Sequence, residues 1–195
     1  MNNKYHNQTL RIISGKWGSR RIHFADDARI RPSSDAVRET LFNWLADDIK
    51  NKNCLDLFAG SGSLGIEVLS RGGNSVTFVD ISRKILASIA DNLNILDAAG
   101  EHTYKFIKQD VLKFIRNSTD KFNLAFIDAP FHTAYLQQAS DALAQSQILA
   151  SGALVYVEHE RQSKFIAPSS WELYKHQRKG GLVYELYKNT RVLSG

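Results

Sequence analysis

From Cys54 onward the chain alternates short apolar runs with stretches whose apolar residues recur at helical spacing. CLDLFAG reads as a strand, a helix from about Ser63 to Arg71 is stopped by Gly72 and Gly73, and SVTFVD reads as the next strand. In RKILASIADNLNIL, the residues Ile85, Leu86, Ile89, Leu93 and Leu96 fall on one side of a helix. A strand KFIKQD, a short helix VLKFI, a run FNLAFIDAPF, a helix through about Tyr135 to Leu149 and a run ALVYVEHE continue the pattern. Strands alternating with helices predict an α/β fold, with a parallel sheet covered on both faces. The tail WELYKHQRKGGLVYELYKN has no helix between its two strands and predicts an antiparallel pair turning near Gly180 and Gly181. Ahead of the first strand, RPSSDAVRETLFNWL predicts a helix. Pro32 ends what precedes it, Ser33, Ser34 and Asp35 offer capping oxygens, and Val37, Leu41, Trp44 and Leu45 face the body, leaving Arg38 and Glu39 off that face.

Neither a repeat nor a low-complexity tract interrupts this pattern, and three prolines and 12 glycines leave no room for a long linker. At 195 residues, 43% of them hydrophobic, the chain has enough apolar surface for one core and should bury roughly 70% of its unfolded surface. The organisation expected is a basic arm, residues 1–31, on a single compact unit, residues 32–195. Charge separates the two. Residues 1–31 carry Lys4, Arg11, Lys16, Arg20, Arg21, Arg29 and Arg31 against Asp26 and Asp27, which equals the net charge of +5 of the whole chain. A basic segment on a neutral body fits a phosphate-rich partner such as nucleic acid, with a solvated terminus as the bland alternative. Arg11, Lys16, Arg20 and Arg21 surround Trp17, and cations beside an aromatic ring can hold phosphates while the ring stacks on a base, although the ring could equally be packed. The basic turn at 176–179 reads as a solvated hairpin tip, with RNA contact as the other reading.

The single cysteine, Cys54, excludes an intrachain disulfide and is expected to fill the buried face of the first strand. MNNKYHNQTL has no apolar signal-peptide core, no run approaches a membrane span, and no His/Cys cluster has metal spacing, so a cytoplasmic, metal-free protein is expected. Nothing in the sequence requires more than a monomer.

At the first strand-to-helix junction, Asp56-Leu57-Phe58-Ala59-Gly60-Ser61-Gly62-Ser63-Leu64-Gly65 contains G-x-G-x-x-G, and Asp80 ends the next strand. Glycines let a ligand approach the backbone, and an acid ending the second strand can accept hydrogen bonds from ribose hydroxyls. Both features suit any adenosine cofactor. Asp56 discriminates among them: a carboxylate here hinders a pyrophosphate and helps a cation, which disfavours NAD and favours S-adenosylmethionine with its sulfonium and ammonium groups. Asp56 could alternatively brace the loop. Asp110 is either an acceptor for an adenine amino group or the N-cap of the helix VLKFI. Glu67, one turn into the helix, reads as a surface or loop-bracing residue.

Asp128-Ala129-Pro130-Phe131 follows the run LAFI, and open α/β sheets bind ligands at strand C-terminal ends. Methylating an exocyclic amine requires localising a lone pair that is delocalised into the ring. A carboxylate and a backbone carbonyl accepting the two amine hydrogens would do so while an aromatic ring stacks on the base. Asp128, the Ala129 carbonyl and Phe131 could supply these functions, with Pro130 biasing Ala129 toward extended backbone. His132, beyond the motif, is given no role.

These residues resemble the amino methyltransferases whose fourth motif reads Asp/Asn-Pro-Pro-Phe/Tyr. More narrowly, RIISGKWGSRRI, RPSSDAVRETLFNWL, LDLFAGSGSLGIEVLSRG, FVDIS, FIDAPF and the closing strand pair resemble the RsmD family of bacterial 16S rRNA guanine-N2 methyltransferases over nearly the whole chain. The resemblance implies a Rossmann-like class I methyltransferase fold, a seven-stranded mostly parallel sheet whose last strand is antiparallel, and an N-terminal hairpin facing RNA. It implies S-adenosylmethionine as methyl donor, held by Asp56, Phe58, Gly60, Ser61, Gly62, Asp80 and Asp110. The implied reaction is methylation of N2 of the guanine at rRNA position 966 during small-subunit assembly. Arg31 and Arg38 of the RPSSDAVRE segment join the arm residues as implied RNA contacts. Two positions depart from the family pattern: Ala129 stands for a proline, keeping the carbonyl, and Ala36 stands for an arginine. The rival readings are an N6-adenine nucleic-acid methyltransferase, a protein-glutamine methyltransferase, and a non-catalytic RNA-binding assembly factor.

Overall fold

The computed structural model describes residues 9–25, 27, 33–98, 100 and 103–191. A two-stranded antiparallel hairpin, β1 (Thr9–Arg11) and β2 (Arg21–His23), leads to α1 (Asp35–Trp44). There follow β3 (Asn53–Leu57), α2 (Ser63–Ser70), β4 (Ser75–Asp80), α3 (Arg83–Ile95), β5 (Thr103–Lys108), α4 (Val111–Asn117), β6 (Phe122–Ile127), α5 (Tyr135–Gln145), β7 (Leu149–Glu160), β8 (Trp171–Lys179) and β9 (Leu182–Asn189). The seven strands from β3 on form one sheet in the order β5-β4-β3-β6-β7-β9-β8. The pairs among β5, β4, β3, β6 and β7 are parallel, and β9 is antiparallel to both of its neighbours.

Side chains alternate across the sheet, so each strand feeds two cores. Cys54, Phe78, Phe126 and Tyr156 pack with α1, α2, α3 and the hairpin, whereas Leu55, Leu57, Ala125, Ile127, Val155 and Val157 pack with α4 and α5. Asp56, Asp80 and Asp128 continue the first face where strands β3, β4 and β6 end. Between β3 and β6 the strand order reverses, and at such a switch point the flanking loops diverge and leave a crevice.

Two boundaries and one side-chain placement differ from the sequence expectation. The helix expected to reach Leu149 ends at Gln145, because Leu149 already pairs with Phe122 to start β7 and the Phe122 amide donates to the Ile148 carbonyl at 2.8 Å. β5 lies two residues earlier than KFIKQD, in register with β4 from Ser75↔Thr103 to Asp80↔Lys108, which frees Asp110 to cap α4. Arg38, expected off the packed face of α1, is fully buried. The hairpin lies over that side of α1, and Arg38 donates to the Arg11 carbonyl at 2.7 Å and to Asp35 at 2.6 Å.

The hairpin is bolted to the body. Ile12, Trp17 and Ile22 join the first core, and the loop between β1 and β2 is gripped by α2. Glu67, at 0% exposure, accepts the backbone amides of Ile13 at 2.7 Å and Ser14 at 2.9 Å, while the Ser70 hydroxyl donates to the Ser14 carbonyl at 2.6 Å. Asn92 on α3 accepts the His23 amide and donates to its carbonyl. Glu67 is therefore a fastener rather than a surface residue. Among the described residues, no helix is long and apolar enough to cross a membrane.

Candidate active site

A cavity of about 360 Å³ opens at the switch point, within the size range of small-ligand sites. The turn after β3 forms one wall. Phe58 takes a left-handed φ of 58°, a conformation that non-glycine residues adopt seldom. Gly62, with φ 72°, starts α2, and a Cβ there would sit 2.7 Å from Ile89 Cγ1 on α3. Gly65 is required for a different reason: a Cβ would lie 2.3 Å from the Phe78 ring, so its absence lets α2 lie close on β4. The three glycines thus bend the chain and seat the helix, and of them Gly60 lines the cavity.

Asp56, Asp80, Asp110 and Asp128 all line this cavity, with no Lys or Arg among its described lining residues. Asp80 accepts the amides of Gly60 at 3.3 Å and Ser82 at 2.8 Å. Asp56 accepts the Gly65 amide at 3.0 Å, so it braces the loop and faces the cavity at once. Burial pushes the Asp56 carboxyl up to about 8, with the Gly65 amide acting against the rise and the Asp80 charge adding to it. Burial, then the neighbouring charges of Glu158 and Asp56, also hold Asp128 well above the usual carboxylate range. A cavity of crowded acids without a protein counter-cation is suited to a cationic ligand and opposes a pyrophosphate.

Asp110 caps α4 through the Lys113 amide at 3.1 Å and also borders the cavity, where the Tyr135 hydroxyl is 3.5 Å away. Phe58 and Tyr135 meet edge to face at 5.7 Å. Asp128, Ala129, Pro130 and Phe131 line the cavity from the end of β6. Their loop is held by the Thr133 hydroxyl, which donates to the Pro130 carbonyl at 2.7 Å, and by His132, 3.1 Å from Glu160. Ala129 is buried. Gly62 is the one proposed cofactor residue that turns the loop without lining the cavity.

Sequence reasoning missed three groups. Ser33 lines the cavity and donates to Glu158 at 2.6 Å, and the same Glu158 oxygen accepts the Tyr156 hydroxyl at 3.1 Å. Burial raises Glu158, and those two hydroxyls oppose the rise. Glu158 lies near the end of the run ALVYVEHE, the same strand-end position that singled out Asp80 and Asp128, so its signal was present. Cys54 is buried as expected.

The basic residues divide. Arg11, Lys16, Arg20 and Arg21 are exposed on the hairpin, Arg11 lying 3.6 Å from both Asp35 and Glu39, Arg20 donating to the Ile95 carbonyl, and Arg21 to Thr9. Two of the expected RNA contacts are corrected. The Trp17 ring is 1% exposed because it packs into the first core, and Arg38 is 0% exposed because it ties α1 to the hairpin. Arg31 lies outside the described residues.

The family model described as Conserved hypothetical protein 95 matches residues 10–188. A Ribosomal RNA small subunit methyltransferase D of Haemophilus influenzae is 38% identical over 182 residues, covering 92% of this chain and 94% of that protein. The solved structure of the putative methyltransferase yhhF from Escherichia coli superposes with a TM-score of 0.83 at 35% identity, covering 93% of this chain and 98% of that one. A Thermus thermophilus 16S rRNA N2 G1207 methyltransferase, solved with AdoMet and guanosine, has a TM-score of 0.68 at 17% identity, covering 93% of this chain and 50% of that one, a likeness of fold.

Proposed function

The chain belongs to the Conserved hypothetical protein 95 family, and from that membership we propose that it methylates the exocyclic N2 amine of a guanine in 16S rRNA, the guanine at position 966, during small-subunit assembly. S-adenosylmethionine is the cofactor and supplies an electrophilic methyl carbon on a sulfonium. The observation that carries the reading is the cavity itself, which unites the acid-rich loop after β3 and the Asp128-Ala129-Pro130-Phe131 segment after β6.

The residues divide the work. Asp80 faces the ribose hydroxyls, Phe58, Asp110 and the Gly60-Ser61 backbone border the adenosine half, and Asp56 attracts the cationic end of the cofactor. Asp128 and the Ala129 carbonyl accept the two N2 hydrogens, which turns the nitrogen lone pair out of conjugation and toward the methyl carbon. Bound S-adenosylmethionine would supply the methyl group to N2 and leave as S-adenosylhomocysteine, and the proton lost from the nitrogen would pass to water. The substitution of Ala129 for the family proline leaves this geometry its carbonyl, since a backbone oxygen does the accepting. Phe131 stacks on the base, which leaves its helix or loop to reach the cavity. Exposed Arg11, Lys16, Arg20 and Arg21 contact the RNA backbone.

Asp128→Ala tests the assignment. Transfer is expected to fall by about 100-fold or more with S-adenosylmethionine affinity nearly unchanged, and full transfer by this variant would sink the role given to Asp128.

A further inference from the structure

Ser33 is 8% exposed, yet it lines the cavity that holds Asp128. Its hydroxyl has one hydrogen, which it donates to the Glu158 carboxylate: Oγ is 2.6 Å from Oε2, and the same oxygen accepts the Tyr156 hydroxyl at 3.1 Å. Ser33 therefore turns lone pairs, and no hydrogen, toward the cavity.

The sheet fixes where this acceptor stands. β6 and β7 are parallel with Ile127 opposite Val157, and on the alternate face Phe126 and Tyr156 meet edge to face at 6.2 Å. One residue further along each strand, on that same face, come Asp128 and Glu158. Burial and the neighbouring Glu158 charge both raise Asp128, in keeping with that adjacency. Two acceptors then line the one cavity, each tied to Glu158: the Asp128 carboxyl on the neighbouring strand and the Ser33 oxygen that Glu158 orients.

Guanine presents two neighbouring donors on its Watson–Crick edge, the N2 amine and N1–H. Adenine presents an amine beside a bare N1 lone pair. We infer that Ser33 accepts N1–H of the target guanine while Asp128 accepts from N2, and that Ser33, held by Glu158, is the residue that rejects adenine. An adenine amine placed at Asp128 would set the N1 lone pair against the lone pairs of Ser33. Ser33 could answer only by turning its hydrogen away from Glu158 and leaving that buried carboxylate short of a donor. Ser33 determines specificity, and Glu158 is a positioning residue acting through it. This rests on the guanine-N2 reading above and extends it to the discrimination between bases.

The decisive probe is 2,6-diaminopurine, which keeps the N2 amine of guanine but has a bare N1. Small-subunit particles reconstituted with guanine or 2,6-diaminopurine at the target would be assayed for methyl transfer by the wild-type protein, Ser33→Ala and Ser33→Thr. The wild type is expected to favour guanine by roughly tenfold to hundredfold in kcat/KM. Ser33→Ala should lower the guanine rate and bring the two substrates within about twofold of each other, and Ser33→Thr, which keeps the hydroxyl, should restore the preference. Equal use of the two bases by the wild type overturns the inference whatever the variants do, as does a full preference retained by Ser33→Ala. A wild type that methylates neither base strikes the guanine-N2 reading itself, an outcome distinct from methylation without discrimination.

Discussion

Glu67 offers the sharpest stability test, because three donors and the Arg38 guanidinium converge on a carboxylate that is wholly buried. Oε2 accepts the Ile13 amide at 2.7 Å and lies 4.0 Å from Arg38, while Oε1 accepts the Ser14 amide at 2.9 Å and Arg71 at 2.7 Å. Glu67→Gln keeps the volume and opens no cavity. Each carboxylate oxygen faces one backbone amide, so whichever way the new side chain turns, its NH₂ group confronts an N–H. One amide is orphaned, at about 1–3 kcal/mol, Arg71 loses its 2.7 Å partner charge, and buried Arg38 loses one of its two counter-charges. Arg38 keeps Asp35 at 2.6 Å, which limits the second loss and sets the total at about 3–5 kcal/mol. For a chain of this length that corresponds to a fall in Tm of about 10 °C, read by thermal or urea unfolding. Hydrogen exchange adds a local readout: the Ile13, Ser14 and Trp17 amides should lose protection before those of β3 and β4. A loss below about 1 kcal/mol, with the hairpin amides still protected, would refute the view that Glu67 fastens the hairpin.

Gly65→Ala places a Cβ 2.3 Å from the Phe78 ring and 2.9 Å from Val76, so a loss of about 1–3 kcal/mol is expected, and an unchanged unfolding midpoint would contradict the close packing of α2 on β4. Asp56 gives a pH signature. Its folded value, about 8, lies above the ordinary 3.8, so the folded protein retains a proton that the unfolded chain has released. Stability of the cofactor-free protein should fall as pH rises between those values, by up to about 1.4 kcal/mol per pH unit, and level off above. Asp128 and Glu158 shift in the same direction, so Asp56→Asn should flatten part of the slope, and superimposable Tm–pH curves for the two proteins would rule the assignment out. Replacing Arg20 and Arg21 together with alanine should weaken RNA binding and reduce its salt dependence by about one to two counterions while cofactor affinity holds, and an unchanged salt slope would remove the hairpin from the RNA interface.

The α/β alternation and the cofactor loop were legible because both are local: strand period, helix period and glycine spacing each span few residues. The order of the strands at the centre of the sheet was not legible, since pairing β3 with β6 joins residues some 70 positions apart, as in the Asn53 amide donating to Asn123. What stayed hidden was tertiary substitution of roles. Arg38 looked like a free cation, and the Trp17 ring stayed open between stacking and packing, because exposure is invisible to sequence and the segments that bury both side chains lie elsewhere in the chain. Ser33 looked like a helix cap, but Ser34 is the N-cap, and the hydroxyl of Ser33 meets a strand 125 residues away. Of the two readings of Glu67, surface or loop-bracing, the bracing one holds, and the loop amides it braces are partners that no side-chain pattern records.

The measurement that bears most directly on the central claim is transfer of labelled methyl groups from S-adenosylmethionine into small-subunit particles and naked 16S rRNA, each from cells lacking this gene, followed by nucleoside analysis. The account predicts label in N2-methylguanosine, with the better of the two substrates marking the stage of assembly at which the enzyme acts. Absence of label, with both cofactor and RNA bound, would contradict it and leave a binding protein with a methyltransferase fold, and label in N6-methyladenosine would contradict the choice of base.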